Sequence, residues 1–364
     1  MVLWVRQIKD WFSDQKELAE SKISLQELPW QTQEKLQIAL SELPSPQIII
    51  EAIQNGIESA IDRWLNSPSA PNYFIILGNP VEPISQFIQD SINKSQIPPN
   101  IPLNCLSLPP AVNPEQRQQQ LAQKLQEVSL NSRLGKQLLL IPNLSNCFLR
   151  CIGGLDAMNF LGETVLEDKQ KFWIVGCHTW AWEYLDRTNQ IQANFEQTFC
   201  LPTLNGNDLK IWLKPASSHL YMEEDEDEEQ AYFEKLSKTA LGLSEVAKEL
   251  WFFSLGCEQQ NDEDITSSLP IKRRWEKLPK LPKITIEDRY LLYSVLLHQQ
   301  LSFDCLVITL GDVKSLVKSQ VKKLKNLGLI QEKSGLLRIN QLYYPQLLVD
   351  LEQNNFSIYP RCLD

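Results

Sequence analysis

Residues 73–88 read YFIILGNPVEPISQFI: an apolar run, a glycine, then apolar residues at helical spacing. This is the order in which a strand passes through a phosphate-binding loop into a helix. A loop of the form G-x-x-x-x-G-K-[ST] works through three kinds of group. Its glycines let backbone N–H groups close on phosphate oxygens, its lysine supplies charge, and its hydroxyl reaches magnesium. Aligned on Gly78, the octet here is Gly78-Asn79-Pro80-Val81-Glu82-Pro83-Ile84-Ser85. Pro83 stands at the second glycine and Ile84 at the lysine, while Ser85 keeps its type. Pro80 and Pro83 remove two backbone donors and fix φ. Glu82 adds an anion where phosphate oxygens belong.

Working outward, helical periodicity covers 16–40 and 48–65, and SPSAPN at 67–72 is a turn cluster. Further apolar strands are expected at 137–141 (QLLLI), 172–176 (FWIVG) and, shorter, 199–202. Helices are expected at 84–93, 114–128, 179–186 and 206–213. Strands apolar on both faces and alternating with helices predict an α/β fold, a parallel sheet covered on both sides, over 46–215. A helical segment (1–45) precedes it. An acidic loop (216–230), then a helical stretch with the basic linker IKRRWEKLPKLPK (231–283), follow it. In a nucleotide-hydrolysing relative of this fold, the strand 137–141 would end in an aspartate that holds magnesium. Here it ends in Pro142 and Asn143.

The last segment, 284–364, has its own pattern. Residues 287–300 form an amphipathic helix, 302–310 a shorter one capped by Ser302, and 312–327 a third ended by Gly328. LIQEKSGLLRIN then turns at Ser334-Gly335 between two short strands. Three helices and a hairpin are the order of a winged helix-turn-helix. The third helix carries Lys314, Lys318, Lys322, Lys323 and Lys325, and the hairpin adds Lys333 and Arg338, a set able to meet phosphates or a protein partner. Over 284–364, however, nine Lys and Arg face eight Asp and Glu, a small excess for a dedicated DNA binder.

The 364 residues allow two or three domains, and a hydrophobic content of 43% is that of a globular chain. The formal charge is −10, but 223–229 (EEDEDEE) supplies seven acids, leaving the remainder at −3. Those acids read as a solvated loop. Eight cysteines include no CxxC pair, and with three histidines they form no zinc-type spacing. A reduced, cytoplasmic protein without a metal site is expected. No apolar run is long enough to span a membrane, and no secretion signal is apparent. Residues 1–12 (MVLWVRQIKDWF) carry Trp4, Val5, Ile8, Trp11 and Phe12 at helical spacing. They are read as a helix packed on its own domain, with peripheral membrane contact as the alternative.

In this order, LLLIPNLSNCFLR (138–150), FWIVGCHTWAW (172–182) and LGLSEVAKELWFFSL (241–255) resemble the Walker B, sensor and lid segments of bacterial AAA+/STAND-type P-loop NTPases with a helical lid and a C-terminal winged helix. The resemblance runs over 46–364. It implies a P-loop NTPase-like fold whose vestigial nucleotide-site positions are Gly78, Ile84, Ser85, Pro142, Asn143 and His178. At its catalytic points the chain departs from the family pattern, with both Walker motifs degenerate. As a general base His178 needs a nucleophile and an orienting acid, and it is read here as structural. The expectation is therefore a protein that is not an enzyme and needs no cofactor. It would be a pseudo-ATPase acting as a regulatory or assembly factor through protein contacts, monomeric or dimeric. The alternatives are a DNA-binding regulator using the winged helix and an unconventional ATP-binding protein.

Overall fold

In the computed structural model the residues described are 25–26, 28–108, 113–131, 135–195, 197–217, 225–258, 271–273 and 278–357. The candidate membrane-contacting residues 1–12 lie outside them. The chain divides into two compact units, one made of 47–202, 282–340 and 348–364, the other of 1–46, 203–281 and 341–347.

In the first unit, strands β2 (Tyr73–Gly78), β3 (Leu103–Cys105), β4 (Gln137–Ile141), β5 (Lys171–His178) and β6 (Thr198–Cys200) form a parallel sheet in the order β3-β4-β5-β2-β6. β4 is buried along its whole length, as is β5 from Phe172 on, which is why both read as unbroken apolar runs. In register, Tyr73 faces Trp173 and Gly78 faces His178, so the two central strands end together. Helices α2 (Gln47–Asn66), α3 (Ile84–Lys94), α4 (Pro114–Asn131), α5 (Asp156–Glu167) and α6 (Thr179–Asn189) link and cover the strands. α2 buries Ile49, Ile50, Ile53, Ile57, Ile61 and Trp64, the stripe its spacing predicts.

The same unit holds α10 (Ile286–His298), β9 (Leu301–Ser302), α11 (Phe303–Leu310), α12 (Lys314–Asn326), β10 (Ile330–Lys333) and β11 (Leu336–Ile339). Thr285 and Asp288 close a reciprocal capping box on α10, and the Ser302 hydroxyl caps α11 by accepting from Cys305 N. Ser334 and Gly335, with φ of 53° and 78°, make the two-residue turn between β10 and β11, and β9 adds to the other edge of β11. Leu297 of α10 lies in the same apolar cluster as Leu139, Ile141, Trp173, Val175 and Phe148 of the sheet region. The C-terminal helices thus share the core of the sheet.

The second unit contains α1 (Trp30–Ser41), α7 (Gly206–Ser217), α8 (Glu226–Thr239) and α9 (Ser244–Ser254), and a three-stranded antiparallel sheet of β1 (Leu25–Gln26), β7 (Leu255–Glu258) and β8 (Ile271–Arg273). Acidic residues 226–229, expected in a loop, form the first turn of α8, where carboxylates are favoured by the helix dipole. Glu229 there meets Lys210 at 2.8 Å and Arg273 at 3.0 Å. Arg273, read as part of a linker, is therefore on a strand and paired. Gly242 follows α8 at φ +68°, and a Cβ on it would lie 2.6 Å from Cβ of Thr203.

Candidate functional site

The loop after β2 gathers most of the residues singled out in the sequence. Gly78 must lack a side chain because a Cβ there would lie 2.8 Å from both Ile84 Cγ1 and Leu201 Cδ1. Ile84 is buried at the position a lysine would take, and it packs back onto the glycine. The backbone donors of the loop are already engaged. Val81 N donates to Asn79 Oδ1 (3.2 Å), Glu82 N to Asn79 O (3.0 Å) and Ile84 N to Glu82 O (2.9 Å). Positions 80 and 83 are prolines and have no N–H to give. No ring of N–H groups is left between 80 and 84 to cradle an anion.

The Walker B position lies alongside. Ser85 Oγ donates to Pro142 O at 3.1 Å, the bond its hydroxyl makes here. Pro142 O in turn stands so close to β5 that a Cβ on Gly176 would approach it to 2.4 Å. Asn143 caps the short helical turn Leu144–Cys147 by accepting from Ser145 N at 2.9 Å.

Gln299, which no sequence pattern marked, joins these two segments. Its Oε1 accepts from Asn143 Nδ2 (3.0 Å) and its Nε2 donates to Glu82 O (2.8 Å). It sits at the end of α10 with φ 62° and ψ −45°, a backbone region that a residue bearing Cβ rarely takes. One side chain following α10 thus bridges the loop after β2 and the segment after β4.

His178, at the end of β5, is fully buried and caps α6 by accepting from Ala181 N at 3.1 Å. Burial lowers its pKa to about 3, with the Leu297 backbone opposing the shift in part. His298 is buried against Phe148, with ring centroids 4.8 Å apart, and its Nε2 accepts from Arg150 N. Burial first, then the charges of Arg117, His178 and Arg150, holds it well below the usual histidine range. Both rings are neutral, and the Nδ1 of His178 is occupied by its helix cap. The Nδ1 of His178 is thus committed to holding the start of α6. Arg117, also missed in the sequence, is buried and donates to Asn146 O at 2.6 Å. Burial pushes the Cys147 thiol up to about 12 and raises Cys177 as well, so neither is a nucleophile at neutral pH. Cys200 is disulfide-bonded, a departure from uniformly reduced thiols. Among the described residues no group of His, Cys, Asp and Glu is arranged to hold a metal ion, and no helix is long and apolar enough to cross a membrane.

The basic residues of the C-terminal segment separate into two sets. Lys314 pairs with Asp304 (2.8 Å), Lys323 with Asp288 (2.5 Å) and Lys325 with Glu332 (2.7 Å). Lys318, Lys322 and Lys333 are exposed and form no ion pair among the described residues. Arg338 lies half-buried on β11, opposite Gln331.

No protein-family model matches the sequence. No curated protein is significantly similar to it. Among solved structures, a RuvB mutant of Thermotoga maritima is similar at 13% identity, over 93% of this chain and 97% of that one, with a TM-score of 0.32. Cdc6p of Pyrobaculum aerophilum is similar at 11% identity over 87% and 96%, TM-score 0.35. ORC2 of Aeropyrum pernix, solved as ADPNP–ADP complexes, is similar at 13% identity over 92% and 97%, TM-score 0.33. What the structure itself shows is the expected α/β arrangement, a five-stranded parallel sheet with helices around it. The expectation that the chain is not an enzyme is corrected at this point: the comparisons give it no support, and it is not carried further. At such TM-scores the likeness assigns no reaction, substrate or partner to this chain.

Proposed function

We propose that this chain is a regulatory or assembly factor that works through protein–protein contacts. The observation that carries this reading is the Gln299 bridge between Asn143 and Glu82. It holds the C-terminal helices over the loop that, in a nucleotide-driven relative, receives phosphate. The loop's own donors are engaged internally, and Ile84 takes the place of a cation. The residues Gly78, Ile84, Ser85, Pro142, Asn143 and His178 then serve as a joint of the fold.

The test is capture with the intact chain as bait from native lysate, followed by reconstitution of the purified pair and measurement of its mass in solution. A complex of defined stoichiometry supports the reading. A chain that reconstitutes with no captured protein overturns it. So does a thermal midpoint that rises with millimolar ATP–Mg, because a ligand bound only to the native state must raise it.

A further inference from the structure

The exposed side of α12 is built unevenly. Lys314, Lys318 and Lys322 recur every four residues and form one stripe along the helix. Ser315 and Ser319, both exposed, form the stripe beside it. Beyond them lies Leu316, 50% exposed, and Val313 just before the helix is 71% exposed. The opposite side, Val317, Val321 and Leu324, is the one that faces the core. An exposed leucine and valine are unremarkable singly, but here they stand across a row of small hydroxyl residues from a row of lysines. Two of those lysines, Lys318 and Lys322, have no ion pair among the described residues, whereas Lys314 is neutralised by Asp304, Lys323 (which continues the serine row) by Asp288, and Lys325 by Glu332.

From this arrangement we infer that the face of α12 around Ser315 and Ser319 docks an acidic amphipathic helix of a partner protein, an inference that rests on the protein-contact reading above. The serines let a second helix approach closely, as small residues at a helix crossing do. Apolar side chains of that helix cover Leu316 and Val313, and its carboxylates meet Lys318 and Lys322, the two lysines of the row without an ion pair among the described residues. Duplex DNA fits the face less well. The start of α12, where base edges would be read, carries exposed Val313 and Leu316 and no arginine, and half of the lysines on the helix and hairpin are already paired.

Fluorescence anisotropy with the full chain tests this. The probes are an 18-residue peptide of Leu and Glu with leucines at i, i+3, i+4 and i+7, a scrambled peptide of the same composition, and a 20-base-pair duplex. The patterned peptide is expected to bind at least tenfold more tightly than the scrambled one. Leu316→Ser is expected to weaken it about tenfold, and Lys318→Ala with Lys322→Ala several-fold, the latter loss shrinking as salt rises. Circular dichroism checks that each variant is folded, which the exposure of these positions favours. Equal binding of the two peptides, no binding of either, or indifference to Leu316→Ser overturns the inference. So does a duplex that binds more tightly than the patterned peptide and depends on the lysines alone. If Leu316→Ser leaves the reconstituted complex of the preceding section intact, the protein-contact reading stands and this surface is not its site.

Discussion

Gln299 combines a left-handed backbone with two side-chain hydrogen bonds, and the two have opposite effects on stability. A non-glycine residue in such a region costs on the order of 1–3 kcal/mol. Gln299→Ala keeps the strained backbone and leaves Asn143 and the Glu82 carbonyl without this partner. It is expected to destabilise the unit by about 1–3 kcal/mol in urea unfolding followed by tryptophan fluorescence. Gln299→Gly loses the same bonds but relieves the backbone, so it is expected to cost about 1 kcal/mol less than the alanine variant. A larger loss for glycine than for alanine would show that the strain is not there. The histidines give a second residue-scale expectation. His178 titrates near 3 when folded and near 6.5 when unfolded. Between those values the unfolded chain binds a proton that the folded chain refuses. The stability that His178 contributes is therefore complete above about 6.5 and falls as pH drops toward 3, by about 1.4 kcal/mol per pH unit. His178→Asn keeps a helix-capping acceptor and removes the titration, so its unfolding midpoint is expected to depend less steeply on pH over that window. At this scale the internally bonded loop is legible at Pro80, Pro83 and Ile84, since the prolines have no N–H to offer and the isoleucine is apolar enough to be buried. Gln299 is not legible, since neither its positive φ nor its partners 156 and 217 residues away leave a local pattern.

Among the elements, β5 and the segment after β4 are pressed together at Gly176. A Cβ there would meet Pro142 O at 2.4 Å and Ile88 Cδ1 at 2.5 Å. Gly176→Ala is expected to lower stability by roughly 1–3 kcal/mol or prevent soluble expression, whereas Gly162→Ala, whose Cβ would meet nothing within 4 Å, is expected to be neutral or slightly stabilising. Paired denaturation curves check this. Asp288 serves α10 twice, closing its capping box and accepting from Lys323 of α12. Burial opposes its ionisation, but the Lys323 ammonium and the Thr285 backbone outweigh burial and lower its pKa. Asp288→Ala is expected to cost about 1–2 kcal/mol by the same assay, and Asp288→Asn, which keeps a capping oxygen, less. The strands were legible because their burial on both faces leaves unbroken apolar runs, and the hairpin because Ser-Gly fits a turn with two positive φ angles. The start of α8 was hidden by seven like charges, which read as a loop until a dipole and two basic partners are seen around them.

For the molecule as a whole, the sequence divides the chain at its prolines and basic residues, whereas apolar contact divides it elsewhere. A linker at 271–283 is visible in composition, but the return of α10 to the sheet is a long-range event with no local signature. A chain ended at residue 283 would strip the cover from Phe148 and from the cluster that Leu297 completes. Such a fragment is expected to aggregate where the full chain does not, and light scattering of the two at equal concentration decides it. The shared core has a consequence for synthesis. Because Leu297 and Gln299 follow the last strand of the sheet by nearly a hundred residues, the sheet cannot complete its core until that stretch has also been made. The emerging segment 47–202 must wait, its apolar rim exposed, until residues 297–299 reach it.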